Sequence, residues 1–89
     1  MSAIEWSPRA LRALFDIYDY IVADSPDAAA RVISRIRAAV NLLMTQPLLG
    51  RAAETRGRRE LVIDQHVVTY RITRNTVRIL TIEHGARRR

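Results

Sequence analysis

Apolar residues recur every three or four positions through the first half of this 89-residue chain, and they alternate with polar residues through its last third. The first spacing is typical of amphipathic helices, and the second of β-strands with one buried face. Ser7-Pro8 sets an N-cap residue before a proline at the first helical position, which predicts that a helix starts there. The predicted core-facing stripe of this helix consists of Leu11, Leu14, Phe15, Tyr18 and Val22, widened by Ile17 and Ile21.

A second helix is predicted from Ser25-Pro26, where the same start signal recurs with Asp27 in the first turn. Gln46-Pro47 ends it, because a residue that precedes proline disfavours the helical conformation. Only two or three residues separate the helices, so they are expected to be antiparallel neighbours in an α-hairpin. The second apolar stripe consists of Ala29, Val32, Ile33, Ile36, Val40 and Leu43.

Alternating patterns predict a short extended run over residues 2–6 and three strands at 59–63, 67–73 and 76–83. Residues 47–57 are expected to form a loop. Turns are expected at 64–66 and 74–75, where Asn75 tolerates a left-handed conformation. On the last strand, strict alternation puts Val77 and Ile79 on one face and leaves Leu80 and Ile82 on the other, and apolar residues on both faces predict a strand in the interior of the sheet. The other face would then carry Arg78, Leu80, Ile82 and His84.

The resulting layout is β-α-α-β-β-β, an α+β fold in which the N-terminal α-hairpin packs on one face of an antiparallel sheet. At 89 residues the chain is expected to form a single domain over residues 1–89. No apolar run is long enough to cross a membrane, and the first residues do not form a signal peptide, so we expect a soluble cytoplasmic protein.

Positive charge is concentrated in the second part of the chain. Residues 1–50 hold five arginines and five acidic residues, whereas residues 51–89 hold ten arginines and four acidic residues. The net charge of +6 therefore lies entirely on the β-patterned part, and the chain contains no lysine. Arginine binds phosphate and carboxylate through two parallel hydrogen bonds, so the asymmetry indicates an anionic partner. A codon bias toward arginine with a solvated basic face is the alternative explanation.

Few residues offer catalytic chemistry. The absence of cysteine excludes disulfides, two histidines are too few for a zinc site on their own, and no cofactor or metal is expected. RNA cleavage by a 2′-hydroxyl needs a base, an acid and cations around the phosphate. The candidate constellation for that reaction is His84 with Tyr70, Arg59, Arg71, Arg78 and Arg87.

Each of these candidates also has a structural interpretation. A histidine at a strand end commonly caps or hydrogen-bonds, and Tyr70 shares its strand face with apolar residues, which suits a core position. Glu54 and Glu60 could supply a base, but a surface charge explains them equally well. His66 lies in a predicted turn, where solvation is the simplest expectation.

Several short motifs in a fixed order resemble the RelE/ParE superfamily of type II toxins, over nearly the whole chain. They are Ser7-Pro8-Arg9-Ala10, Pro47-Leu48-Leu49-Gly50-Arg51, Arg59-Glu60-Leu61, Val67-Val68-Thr69-Tyr70-Arg71, Val77-Arg78-Ile79-Leu80 and His84-Gly85-Ala86-Arg87. The fold implied by this resemblance is the layout derived above.

The resemblance implies one of two activities, either inhibition of DNA gyrase or ribosome-dependent mRNA cleavage. The ending around His84-Gly85-Ala86-Arg87 is similar to the ParE branch, where the gyrase inhibitors and the plasmid-stabilisation label are found. The interferases usually carry catalytic lysines or a tyrosine near the C-terminus, and this chain has no lysine and no tyrosine after Tyr70. Gyrase inhibition is thus the leading expectation, an mRNA interferase the first alternative, and a non-toxic basic nucleic-acid-binding module the second.

The expected target-binding residues are Arg59, Arg71, Arg78, His84, Arg87, Arg88 and Arg89. If the chain is an RNase, the candidate catalytic residues are His84 as base or acid and Arg59, Arg71 and Arg87 as phosphate-binding cations. The resemblance also implies a ParD-like antitoxin as cognate partner, with operator DNA bound only through the antitoxin. An acidic, partly disordered segment would suit the basic sheet, and apolar residues at the rim of the hairpin would anchor it.

Overall fold

The predicted order of elements is found in the computed structural model, which describes residues 1–87. Strand β1 covers Ala3–Trp6, and helices α1 and α2 cover Pro8–Val22 and Pro26–Asn41. Strands β2, β3, β4 and β5 cover Arg51–Ala52, Arg59–Ile63, His66–Thr73 and Thr76–His84. One-turn 3-10 helices follow α2 and β5, at Leu42–Met44 and Gly85–Arg87. The helix starts are confirmed, and the last three strands agree to within one residue, whereas β2 lies in the segment predicted as a loop.

Both helices begin at the predicted serines. The hydroxyl oxygen of Ser7 accepts a hydrogen bond from the Ala10 amide at 3.0 Å, and that of Ser25 accepts one from the Ala28 amide at 3.1 Å. These bonds satisfy amides that have no partner within a helix. The hydroxyl of Ser7 also donates to the Leu80 carbonyl of β5 at 2.9 Å. The start of α1 is therefore fixed to the last strand.

The five strands among the described residues form one sheet in the order β1-β5-β4-β3-β2. Four of them pair antiparallel in sequence, but β1 runs parallel to β5, with Ile4 opposite Val77 and Trp6 opposite Ile79. The α+β class is confirmed, and the sheet is mixed where we expected it to be antiparallel throughout. The physical reason lies in the length of chain that connects the paired strands. A tight turn forces antiparallel pairing, whereas β1 and β5 are joined through the whole of the intervening chain.

A β-bulge in β5 changes which residues face the helices. Tyr70 lies opposite Ile79 but Thr69 lies opposite Thr81, so Leu80 is an extra residue in the ladder. Beyond the bulge the alternation is inverted, and Ile82 joins Ile79 in the core. The prediction that Ile82 and His84 share a face with Arg78 is therefore wrong, because strict alternation cannot anticipate an inserted residue.

The core lies between the helices and one face of the sheet. Its buried residues are Ala10, Ile36, Val40, Leu43, Ile63, Val68, Tyr70, Val77, Ile79 and Ile82. The predicted stripe of α2 is confirmed for Ala29, Val32, Ile36 and Val40, whereas Ile33 is half-buried outside the core, and Leu43 belongs to the 3-10 turn after that helix.

The predicted stripe of α1 is rotated by about one residue position. Ala10 is fully buried, and Ala13, Leu14 and Ile17 pack against the core, whereas Leu11, Phe15 and Tyr18 are exposed. Small side chains at Ala10 and Ala13 allow the helix axis to approach the sheet closely. The face that carries them is therefore the buried one, although it is less apolar in the sequence.

Both hairpin turns begin with a residue at positive φ. Asp64 and Arg74 each have a φ of 55°, so the left-handed conformation falls on Arg74 and not on Asn75, where we expected it. Asp64 also forms an ion pair with Arg35 of α2, at 2.7 Å. This contact joins the second helix to the β3–β4 turn on the surface of the protein.

Candidate functional site

The face of the sheet turned away from the helices carries two of the predicted target-binding residues, Arg71 and Arg78. We call this surface the open face, defined by Glu5, Glu60, Thr69, Arg71 and Arg78. These residues share a side because they are paired across neighbouring strands, as Glu5 with Arg78, Arg71 with Arg78, and Glu60 with Thr69. The structure therefore brings Arg71 and Arg78 together as direct cross-strand neighbours.

The two arginines differ in how far their charge is already engaged. Arg78 is half-buried, and its guanidinium contacts the carboxylate of Glu5 on β1. Arg71 is exposed, and residues 1–87 supply it with no ion pair. Two like charges on paired positions repel each other. An incoming anion relieves that repulsion, so the pair is suited to binding a phosphate or carboxylate group.

Glu60 gives the open face a buried carboxylate. Its side chain is only 6% exposed and lies 3.5 Å from the Nε atom of Arg51 on β2. Arg71 is its diagonal neighbour across β3 and β4, a spacing of roughly 7–8 Å between Cα atoms. The other candidate base, Glu54, is exposed in the segment between β2 and β3. The open face thus carries two carboxylates, of which Glu5 is paired with Arg78 and Glu60 is buried, beside the guanidinium groups of Arg71 and Arg78.

Arg59 is placed differently from the other predicted arginines, because it shares the helix-facing side with Tyr70. Its Nε atom donates to the Gly50 carbonyl at 2.9 Å, and its Nη2 atom donates to the Leu48 carbonyl at 3.3 Å. These bonds hold the segment before β2 against the sheet. Its predicted role in target binding stays a prediction.

Tyr70 anchors the same segment from within the core. Its hydroxyl donates to the Pro47 carbonyl at 2.7 Å and accepts from the Gly50 amide at 2.9 Å. A Cβ atom at Gly50 would lie 2.6 Å from the Glu60 carbonyl oxygen and 2.8 Å from the Tyr70 hydroxyl, so only glycine fits. The core interpretation of Tyr70 is confirmed, and its hydroxyl is already used on both sides.

His84 lies at the end of β5 on the helix-facing side, opposite His66 on β4. Its Nδ1 atom accepts from the Ala86 amide at 3.1 Å, so Nε2 carries the proton and donates to Oε1 of Gln65 at 3.2 Å. Both histidines line a cleft of about 580 Å³ that α1 closes with Ile17 and Tyr20. His84 is therefore separated from Arg71 and Arg78 by the sheet itself.

The surroundings of this cleft change the pKa of His66. Burial lowers the pKa of His66 from its ordinary value of 6.5, and the neighbouring His84 lowers it further, while Asp64 acts in the opposite direction. His66 is half-buried, where we expected a solvated turn residue. Its position at the first residue of β4, one residue earlier than predicted, explains the difference.

The C-terminal arginines are described only in part. Arg87 ends the 3-10 turn that follows β5, and Arg88 and Arg89 lie outside the described residues. Their predicted contact with a target stays a prediction. Within residues 1–87 there is no group of three or more His, Cys, Asp or Glu residues that could hold a metal ion. No helix in the described part of the chain is long and apolar enough to cross a membrane.

Sequence reasoning missed an apolar surface on α1. Leu11, Phe15 and Tyr18 are 41%, 65% and 40% exposed, and their spacing puts them on one side of the helix. We call these three residues the outer strip. A cluster of exposed large apolar residues commonly marks an interaction site. The available signal was the width of the apolar surface of α1, since seven apolar residues exceed what one buried stripe requires.

Residues 4–89 match the family described as ParE toxin of type II toxin-antitoxin system, parDE. The chain belongs to this ParE toxin family. Two relatives agree with that assignment. The protein named as toxin Y4kP of Sinorhizobium fredii is 47% identical over 84 residues, which cover 92% of this chain and 86% of the relative. Toxin RelE2 of Caulobacter vibrioides is 37% identical over 87 residues, covering 98% and 99%.

Solved structures give the same fold for this ParE family member. The chromosomal ParDE toxin–antitoxin system from P. aeruginosa contains a chain that matches with a TM-score of 0.82 and 27% identity, covering 94% of this chain and 96% of the other. The RelBE2 complex of Mycobacterium tuberculosis matches with a TM-score of 0.67 and 23% identity, covering 93% and 96%. At that identity the second match concerns the fold alone.

Proposed function

We propose that this ParE-family toxin acts by binding DNA gyrase and inhibiting it, without cutting a nucleic acid. The observation that carries the proposal is the separation of His84 from Arg71 and Arg78 by the sheet. General acid–base cleavage needs the acid, the base and the phosphate-binding cations around one reacting group. A paired set of guanidinium groups without a histidine on the same face supports recognition of an anionic surface instead.

Engagement of the target is assigned to the open face, through Arg71 and Arg78. Each exposed charge contributes little alone, so one Arg→Ala replacement is expected to weaken toxicity mildly and the double replacement strongly. His84→Ala is expected to lower activity only in part, because it acts through the end of β5 and not on a reacting bond.

Ribosome-dependent mRNA cleavage is the second candidate. It is favoured by one observation, namely that the buried carboxylate of Glu60 lies diagonally from Arg71 on the open face. A carboxylate base beside cations could serve a 2′-hydroxyl attack. The match to the ParE toxin family gives no support to the third alternative, a basic nucleic-acid-binding module without toxin function.

The deciding experiment is expression without any antitoxin, followed by two assays on the same purified protein. We expect inhibition of supercoiling by gyrase and intact mRNA on programmed ribosomes. The opposite pair of results, cleaved mRNA with normal supercoiling, would transfer the function to the interferase. In that case Glu60→Gln should lower the cleavage rate by about 10²–10⁴, whereas a recognition surface would tolerate this neutral isostere.

We further propose that a ParD-like antitoxin neutralises this toxin by covering the outer strip of α1. The most similar solved structure described above is a ParDE system, and the net charge of +6 favours an acidic partner. An amphipathic segment that packs onto Leu11, Phe15 and Tyr18 would bury apolar surface that the toxin leaves exposed.

This docking surface can be tested with the protein encoded beside the toxin. Leu11→Ser combined with Phe15→Ser is expected to weaken the complex by more than about tenfold, as loss of central apolar anchors does. The matched control is Val62→Ser, because Val62 is 54% exposed and points away from the helices. Equal affinities for the double variant and the control would place the antitoxin elsewhere on the toxin.

A further inference from the structure

The two histidines of the chain are eighteen positions apart in sequence and directly opposite each other in the sheet. His66 and His84 form the last registered pair of β4 and β5. Their ring centroids are 5.6 Å apart, with the ring planes at 81°. The strand register therefore fixes two imidazoles on one rigid element, on the side that faces the cleft.

This spacing is close to that of two imidazoles bound to one metal ion. With metal–nitrogen bonds of roughly 2.0–2.1 Å and tetrahedral angles, the two ring centres lie roughly 5 Å apart. The observed separation thus differs by only a few tenths of an ångström from what chelation requires. Rotation of the side chains can supply that difference without moving the strands.

The hydrogen bonds of the two rings determine which nitrogens could bind a metal ion. The Nε2–H group of His84 donates to Gln65 at 3.2 Å, and the single lone pair on Nδ1 accepts the Ala86 amide in an exposed hydrogen bond, which a metal ion at Nδ1 would replace. A ligating histidine commonly donates its second nitrogen to such an oxygen, which fixes its tautomer. Among residues 1–87, no group forms a hydrogen bond with the ring of His66, so either of its two nitrogens can carry the lone pair that binds the ion.

We propose that His66 and His84 chelate one late transition-metal ion, with water in its remaining coordination positions. Imidazole favours Cu²⁺, Ni²⁺ and Zn²⁺ over Mg²⁺ and Ca²⁺, and Cu²⁺ binds most tightly in this series. Such a site differs from the closed zinc site that two histidines cannot form, since it keeps open positions. The cleft, of about 580 Å³, has room for the waters, and Asp16 of α1 lines it. The bound ion would crosslink β4 to the end of β5.

The test is a calorimetric titration of the full-length chain with Cu²⁺, Ni²⁺, Zn²⁺ and Mg²⁺. The protein must carry no histidine tag and must first be stripped with a chelator. We expect one Cu²⁺ per chain, weaker binding of Ni²⁺ and Zn²⁺, and no heat with Mg²⁺. His66→Gln and His84→Gln should each weaken Cu²⁺ binding by more than about tenfold, because a chelate becomes a single imidazole. The matched control Gln46→Ala, at an exposed site outside the cleft, should bind as the wild type does.

A second measurement keeps the test independent of how the variants fold. In the wild-type protein, bound Cu²⁺ should protect both histidines from acylation by diethyl pyrocarbonate, as read by mass spectrometry. It should also raise the melting temperature through linkage. Unprotected histidines at saturating Cu²⁺, or single variants that bind as tightly as the wild type, would overturn the proposal.

Discussion

The two faces of the sheet differ in what their side chains contribute, although the same strands form both. On the helix-covered face, Val68, Tyr70 and Ile79 are fully buried, and the Tyr70 hydroxyl has two internal hydrogen-bond partners. On the open face, Arg71 and Arg78 are set side by side although their charges repel. Stability is therefore concentrated on one face and the capacity to bind an anion on the other. Substitutions against the covered face should mainly lower stability, whereas substitutions on the open face should mainly lower toxicity.

The largest effect on folding is expected from Ile36→Ala in α2, which packs against the covered face. Ile36 is 1% exposed, and its truncation leaves a cavity that should lower the free energy of unfolding by about 2–5 kcal/mol. The control Val62→Ala, on the exposed side, should change it by less than about 0.5 kcal/mol. Urea denaturation measures both. Similar losses for the two variants would mean that the faces do not differ in stability.

Tyr70→Phe separates hydrogen bonding from packing on the covered face. The ring stays, but the Gly50 amide and the Pro47 carbonyl lose the hydroxyl that links them. A buried group left without its partner costs about 1–3 kcal/mol, so a loss of this size is expected in urea denaturation. An unchanged stability would show that the loop before β2 is held by Arg59 alone.

The stability of the protein should depend on pH through His66, the first residue of β4, which lies on the covered face. The folded state binds a proton less readily than the unfolded state, because burial lowers the pKa of His66 below 6.5. Well above pH 6.5 both states are neutral at this residue, and stability does not depend on its protonation. As the pH falls below 6.5, the unfolded state protonates first and the free energy of unfolding decreases, until His66 also protonates in the folded protein.

This dependence can be measured by urea denaturation in a metal-free buffer containing a chelator, from about pH 8 to pH 5. His66→Gln should flatten the profile across that range, since glutamine does not titrate. The groups that act electrostatically on the ring are His84 and Asp64, and Asp16 lines the same cleft. A wild-type profile that rises on acidification would reverse the sign of the prediction.

The smallest effect on folding is expected from Arg71→Ala with Arg78→Ala on the open face. Removal of two exposed, mutually repelling charges should change the free energy of unfolding by no more than roughly 0.5 kcal/mol, even though the contact of Arg78 with Glu5 is lost. Growth after induction without antitoxin should nevertheless be restored. A double variant that is stable and still fully toxic would show that the open face is not the target-binding surface.

Local rules predicted the parts of the fold that depend on local chemistry. The Ser-Pro signals at Ser7 and Ser25 fix helix starts through their own backbone amides, so neighbouring sequence is sufficient. The bulge at Leu80 depends on strand pairing, and the direction of β1 depends on β5 more than seventy residues away. Neither the bulge nor the direction of β1 can be predicted from the spacing of apolar residues along the sequence.

The sequence predicted which residues form the candidate site better than it predicted how they are arranged in space. Positive charge in the second part of the chain identified Arg71 and Arg78, and alternation correctly put Arg78 opposite the core. It did not separate His84 from them, because the inserted Leu80 inverts the strand's faces. The outer strip of α1 was assigned to the core, since apolar spacing alone cannot tell which of two adjacent stripes packs on the sheet.

The hydroxyl of Ser7 completes the start of α1 and also donates to Leu80, 73 residues later in the chain. The start of α1 can therefore make this hydrogen bond only when β5 is present. β1 and the start of α1 leave the ribosome well before β5, so neither can make its contact with β5 until that strand has also emerged. The first strand and the first helix therefore remain without their final partner during most of the synthesis of this domain.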